Sequence, residues 1–203
     1  MSDFCGVILA AGESSRMGRD KALLPWPRGT SGSGTFLSAM IRAFSTYCDL
    51  VIVVVGENEP MLAPIIYAEG AFLVSNPAPD RGQFSSLQTG LHDVLNRGRD
   101  SAMITLVDRP PPGADTLRTL IDTYSTRDHN TWAVIPEHAG KHGHPMLIGR
   151  ELIEAFLQHP ASSNAQEILH AHADRIDYVE VDDLRVTANV DTPDDYASLQ
   201  SES

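Results

Sequence analysis

The chain is poor in lysine. Of its fifteen basic residues only Lys21 and Lys141 are lysines, and twenty-seven acidic residues leave a formal net charge of -12. A nucleic-acid surface needs a basic face along the phosphate backbone, so this balance argues against one. It leaves room for a small anionic ligand, because a pocket can be locally positive in an acidic protein. Cysteine is as scarce: Cys5 and Cys48 stand in apolar contexts without metal-ligand spacing and read as buried thiols of a reducing compartment. The longest apolar run, LVIVVVG at 50–56, falls far short of the ~20 residues of a membrane span, and no basic-then-apolar leader opens the sequence. A soluble, cytoplasmic protein without membrane or nucleic-acid partners is expected. The familiar phosphate-binding signatures are missing too. GxxxxGK[ST] fails because five residues separate Gly12 from Gly18 and Arg19 follows, and the glycines do not form GxGxxG.

What the chain does contain is an alternation. Short apolar, β-branched runs at 4–10, 50–56, 71–75, 102–108 and 131–136 read as buried strands. Between them, 35–47, 58–70, 85–98 and 113–126 place apolar residues three and four apart, as helices do. Pro60 suits a first turn, and Pro64 predicts a short or irregular second helix. After residue 137 the rhythm changes to a strand at 144–149, a helix at 150–158, a helix in SNAQEILHAH, an alternating strand in IDYVEVDD and a terminal helix in TPDDYASLQ. The pattern predicts an α/β fold with a mostly parallel sheet wrapped by helices. It is read as one domain over 1–203: a core at 1–136, an elaboration over one edge at 137–185, and a closing segment at 186–203. The proline- and glycine-rich stretch PWPRGTSGSG (25–34) reads as a surface loop or as a lid near a ligand.

In a parallel sheet, ligands collect at the carboxyl ends of the strands. The loop from Ala10 to Lys21 leaves the first strand at such an end. Gly12 and Gly18 let main-chain N–H groups approach an oxyanion, Arg16 can fork onto phosphate oxygens, and Lys21 offers a mobile point charge. On residue chemistry alone, the loop is either an anion site or an ordinary turn with solvated cations. Asp108 ends an apolar strand just before a proline turn. That position aims a carboxylate into the crevice, while an N-cap for the helix near Gly113 is the other reading.

LAAGESSRMGRDK (9–21) resembles the LAAGxSxRMGxxK signature of the MobA-like nucleotidyltransferases, most closely their molybdenum cofactor cytidylyltransferase branch. The resemblance implies a Rossmann-like, three-layer α/β/α sandwich of the nucleotide-diphospho-sugar transferase type, with a mixed-strand edge. It also implies that Leu9, Ala10, Ala11 and Gly12 border the base and sugar of an NTP, with Arg16 and Lys21 on its phosphates. LAAG, where the guanylyltransferase branch has LAGG, favours CTP. NPAPDRGQFSSLQTGL (76–91) resembles the family's second nucleotide segment. Gly82 there would give backbone access, and Ser85 and Ser86 would cap a helix and read a pyrimidine edge. In VDRPP, Asp108 matches a D-x-P whose aspartate binds the catalytic metal, with Arg109 where the family usually has Gln. NVDTPDDY resembles the closing D-x-D-T-P-E-D motif, so Asp191, with Asn189 beside it, would share a Mg²⁺ with Asp108. Thr192 and Pro193 make a cap and first turn, which Asp194 and Asp195 would serve.

GKHGHP (140–145) resembles the family's acceptor segment. It puts Lys141 and His144 on an acceptor phosphate, while His142 is equally an ordinary surface residue. SSNAQEIL (162–169) stands where the cytidylyltransferases often carry G-D-x-G-A-R. The implied chemistry is nucleotidyl transfer with Arg16, Lys21 and Asp108 as catalytic residues. The acceptor would be molybdopterin, a sugar phosphate or another small phosphorylated compound, and contact with a molybdoenzyme or cofactor-delivery protein is implied. A nucleotide-binding module without turnover is the remaining alternative.

Overall fold

The apolar run near the start forms β1 (Cys5–Leu9), buried along its whole length. The computed structural model describes residues 4–12, 20–26 and 34–199. Arg16 and most of the 25–34 loop lie outside the described residues. On either side of β1 run β2 (Leu50–Val55) and β4 (Ser101–Leu106), both parallel to it, and β3 (Phe72–Ser75) extends the sheet beyond β2. The crossovers are α1 (Phe36–Ser45), α2 (Glu59–Ala68) and α3 (Gln83–Asn96), followed after β4 by α4 (Ala114–Thr126).

The other half of the sheet is mixed. β5 (Ala133–His138) forms a hairpin with β6 (Lys141–His142), and the chain returns as β7 (Met146–Gly149), inserted antiparallel between β4 and β5. After α5 (Arg150–Gln158) and α6 (Ala165–Ala171), β8 (Ile176–Glu180) pairs in parallel with β5. The closing helix α7 (Pro193–Ser198) starts from a capping box between Thr192 and Asp195. The expected three-layer α/β/α sheet is what forms, with its antiparallel strand inside the sheet.

Alternation of side chains along each strand builds two cores. Ile8, Val53, Val55 and Met103 face α1, α2 and α4 through Leu37, Phe44, Ile66 and Leu120. Val7, Ile52, Val54 and Ile104 face α3 and α5 through Leu91, Val94, Leu152 and Phe156. Each such side chain, once fully buried, stabilises the fold by roughly 1.5–3 kcal/mol before entropy is counted. α3 lies against β1 and β2 because Gly90 faces them; a Cβ there would sit 2.8 Å from Val7 Cγ1 and 3.0 Å from Val54 Cγ2.

Pro64 does not break α2, which runs for ten residues through it. Leu62 and Ile66, both wholly buried, hold the helix to the sheet on either side of the proline, so packing offsets the lost hydrogen bond. Ser85 and Ser86 fall inside the first turn of α3 and are not its cap. The capping position belongs to Gly82 at φ +95°, left-handed backbone that favours glycine.

Candidate active site

β1 and β4 end in register, Leu9 opposite Leu106, so the residues that follow each strand emerge together at the carboxyl edge of the sheet. The Val107 N–H donates to the Leu9 carbonyl at 3.0 Å, and the Ala10 N–H to the Val54 carbonyl at 2.8 Å. Beyond the glycine loop, Lys21 opens a short 3-10 turn (Lys21–Leu23) capped by Asp20, whose Oδ1 accepts the Ala22 N–H at 2.9 Å. Asn58 ties this turn to β1. Its Nδ2 donates to Asp20 Oδ2 at 2.6 Å and to the Ala10 carbonyl at 2.8 Å, while its Oδ1 accepts the Gly56 N–H at 3.1 Å.

Held this way, Lys21 is only 8% exposed. Its Nζ lies 2.7 Å from Asp191 Oδ1 and 3.5 Å from Asp108 Oδ2. Three charged groups far apart in sequence therefore meet at one point. The closing segment is stitched to β4 by its backbone: the Val190 N–H donates to the Asp108 carbonyl at 2.9 Å. The Asn189 amide donates to Asp191 Oδ2. Asp195 Oδ2 accepts the N–H groups of Asp191 and Thr192 at 3.0 and 2.8 Å, the helix-starting role expected of it. The Tyr196 hydroxyl donates to the Pro25 carbonyl at 2.6 Å, fastening α7 to the chain that follows Lys21. Removing the ammonium from between two sheltered carboxylates would be costly, because like charges at this separation repel strongly where water is scarce.

The acidic pair also fits a divalent cation. Asp108 Oδ1 is buried and has no hydrogen-bond partner among the described residues. An orphaned carboxylate oxygen costs free energy unless a cation meets it, and two carboxylates are the hard oxygen donors such an ion takes. No third acidic, histidine or cysteine side chain joins them among the described residues, so substrate oxygens and water would complete the coordination, as Mg²⁺ commonly arranges. Asp108 does not cap α4. Asp183 does that from 70 residues away, accepting the Gly113 N–H and the Thr116 hydroxyl at 2.8 Å each. Arg185 donates to the same carboxylate at 2.7 Å through Nε. Burial alone would raise the pKa of Asp183, but these hydrogen bonds outweigh it and hold the carboxyl below its ordinary value.

The other expected nucleotide residues divide into two groups. Ala11 and Gly12 lie at the surface, whereas the side chains of Leu9 and Ala10 are in the interior. Both polar backbone groups of Ala10 are engaged, by Val54 and Asn58, so that residue positions the loop. Ser85 and Ser86 are buried around Asn76, whose Nδ2 donates to their hydroxyls at 3.0 and 2.9 Å. The Ser85 hydroxyl in turn donates to the Gly82 carbonyl at 2.7 Å. These serines brace the 76–82 turn and leave exposed Gly82 at its tip.

On the far side of Arg109 opens a cavity of about 800 Å³ between α3, α6 and the mixed half of the sheet. His142 and His144 line it, as do Ser163, Asn164 and Gln166 of the SSNAQEIL stretch. Lys141 is exposed on β6 and is not among the lining residues. The His142 ring stacks on Tyr178, with centroids 3.8 Å apart, and its Nε2 lies 3.1 Å from Glu137 Oε2. His144 is enclosed by protein, with its remaining surface turned to the cavity. Burial, reinforced by the charge of Arg109, pushes its pKa down from 6.5 to about 4, against a weak bond to the Ile104 carbonyl. The turn between the histidines requires glycine, since a Cβ at Gly143 would sit 2.3 Å from the Val186 carbonyl oxygen. Asp20, Asn58, Asn76, Asp183 and Tyr178 were not singled out from the sequence. The signals available were the positions of Asn58 and Asn76 just after β2 and β3, and the place of Asp20 beside Lys21 in the glycine loop.

The sheet, with Lys21, Asp108 and Asp191 at its carboxyl edge, has the nucleotide-diphospho-sugar transferase fold shared by nucleotidyltransferases. The chain belongs to the MobA-like NTP transferase family, whose domain model matches residues 6–176. It is similar to the molybdenum cofactor cytidylyltransferase of Escherichia coli (strain K12), at 28% identity over 98% of this chain and 97% of that one. It is also similar to a probable molybdenum cofactor guanylyltransferase of Mycobacterium avium (strain 104), at 26% identity over 96% and 93%. The crystal structure of Rv0371c from Mycobacterium tuberculosis H37Rv superposes with a TM-score of 0.81 at 26% identity, covering 98% of both chains. Rv0371c has also been solved in complex with manganese. Among the described residues, no helix is long and apolar enough to cross a membrane.

Proposed function

We propose that this protein transfers a cytidylyl group from CTP to a small phosphorylated acceptor of the molybdopterin type and releases pyrophosphate. A phosphate oxygen of the acceptor attacks the α-phosphorus. One P–O bond forms, the bond between the α-phosphorus and the bridging oxygen breaks, and the electron pair leaves with pyrophosphate. The nucleophile is already anionic, so no side chain need be activated; the protein aligns two substrates and offsets their charge. The observation that carries this reading is the meeting of Lys21 with Asp108 and Asp191 at the carboxyl edge of the sheet.

Lys21, with Arg16 of the glycine loop, is assigned to the triphosphate and the departing pyrophosphate. Ala11, Gly12 and the Gly82 turn are assigned to base and sugar, with Ser85 and Ser86 supporting that turn. Asp108 and Asp191 would hold Mg²⁺, which supplies electrostatic screening of the α-phosphate when bound. The segment 137–185 takes the acceptor. A reaction of this kind draws on the nucleotide pool and places the protein in the cytoplasm.

CTP is preferred because of the Ala10–Ala11 pair and the full-length similarity to a cytidylyltransferase. The similarity to a guanylyltransferase favours GTP as the second reading. Pyrophosphate release from each of the four NTPs, with Mg²⁺ and with or without molybdopterin, separates them. Release with CTP and acceptor together supports the proposal. Release with GTP supports the second reading. Nucleotide binding without release under any condition refutes both.

A further inference from the structure

The large cavity is mostly apolar and aromatic, walled by Phe84, Met146 and Tyr178, yet Arg109 is the one lysine or arginine on its lining among the described residues. Arg109 follows Asp108 at the end of β4 and is half-buried. Nη1 donates to the Ala188 carbonyl at 3.2 Å, whereas Nε is buried and has no hydrogen-bond partner among the described residues. No carboxylate of the described residues forms an ion pair with this guanidinium; burial disfavours its charge and lowers its pKa, which nearby Asp108 and Asp191 offset only in part. An arginine left with unused donors on the wall of an apolar chamber costs free energy unless an anion enters. The other polar groups on the wall are less suited to that role. His144 is held neutral by its burial, His142 is already paired with Glu137, His170 is exposed to solvent in the last turn of α6, and Gln83, Ser163, Asn164 and Gln166 carry no charge.

Resting on the transferase reading, we infer that Arg109 is the specificity-determining residue for the acceptor: its guanidinium takes the acceptor's single phosphomonoester and presents that group's oxygen to the nucleotide held beside Lys21, Asp108 and Asp191. The guanidinium fork suits a phosphate presented edge-on, and the apolar wall suits a flat, uncharged body attached to it. A ligand with the same body and no phosphate would leave Arg109 unmet and is discriminated against.

The test is equilibrium binding by calorimetry to the full-length protein. The probes are the monophosphate of 6-hydroxymethylpterin and the corresponding alcohol, and CTP with Mg²⁺ is titrated separately. Wild type should prefer the phosphate, Arg109→Gln should lose that preference by about 10–100-fold, and Arg109→Lys should fall between. Affinity for the alcohol should change less than about twofold, since it does not meet the guanidinium. Affinity for CTP with Mg²⁺ should not fall, since the change removes a cation from beside Asp108 and Asp191; thermal melts establish that each variant is folded. Equal affinity of wild type and Arg109→Gln for the phosphate overturns the assignment. So does absence of binding to wild type, or a parallel loss of CTP affinity. The two proposals fail separately. Phosphate binding through Arg109 without pyrophosphate release from any NTP sinks only the transferase reading. Turnover with an acceptor that binds the Gln variant equally well sinks only the role of Arg109.

Discussion

The two sides of the proposed reaction centre, one assigned to the nucleotide and one to the acceptor, are built by opposite means. On the nucleotide side, charge is concentrated and cross-neutralised, with one ammonium between two carboxylates. Neighbouring side chains such as Asn58, Asn76, Ser85 and Ser86 spend their hydrogen bonds on bracing the loops. On the acceptor side a broad, mostly apolar cavity carries one guanidinium and three histidines, of which His144 is kept neutral by burial. The first arrangement suits a highly charged substrate whose phosphates rearrange during the reaction, because fixed dipoles and charges stabilise that change without reorganising. The second suits recognition of a larger body by shape, with a single charge to set its orientation. Chemistry and selectivity are thereby separable, and substitutions on each side should fail differently.

The sharpest way to break this contrast is Asp108→Ala. If the acidic pair serves the reaction, pyrophosphate release should fall by about 10²–10³-fold or more while the far-ultraviolet spectrum is unchanged. Near-normal turnover in that variant would erase the distinction between the two sides. Asp183→Ala should do the reverse. It strips the remote cap from α4 and leaves Thr116, the Gly113 N–H and Arg185 without their acceptor. A loss of about 2–3 kcal/mol in denaturant unfolding is expected, with kcat little changed.

A smaller effect sharpens the picture of the acceptor wall. The pKa of His144 is lowered from 6.5 to about 4, so between those values the unfolded chain binds a proton that the native protein does not. Stability from this residue is therefore complete above pH 6.5 and is lost as pH falls, by about 1 kcal/mol at pH 6. His144→Gln should flatten that part of the stability-versus-pH curve, and an unchanged slope would mean that the ring is not held neutral.

Part of the candidate site's layout was legible in the sequence. A strand followed by glycines and cations, an aspartate ending a buried strand, and a threonine–proline helix start could each be placed from a dozen residues, and Lys21, Asp108 and Asp191 do meet. Their nucleotide and metal roles came from the family resemblance, since residue chemistry alone left the loop open between an anion site and an ordinary turn. The strand and helix alternation likewise predicted the elements of the sheet, including α5 at the residues expected. What escaped were partnerships over distance. The cap on α4 comes from Asp183, and the brace on Lys21 comes through Asn58 and Asp20; no periodicity links such pairs. Ser85 and Ser86 looked like caps because serine before a helix usually is one. The backbone at Gly82 starts the helix earlier and turns both hydroxyls inward to Asn76. The cavity was illegible for a related reason: its walls are drawn from α3, α6 and six strands, and most wall residues taken alone look like ordinary core.

The central claim is that both sides act on one phosphoryl group. It is tested most directly by following CTP labelled at the α-phosphorus in the presence of molybdopterin, Mg²⁺ and the wild-type protein. Label should appear in the acceptor, in step with unlabelled pyrophosphate. Label recovered only as unchanged CTP, or as free CMP with the acceptor unlabelled, would contradict the account.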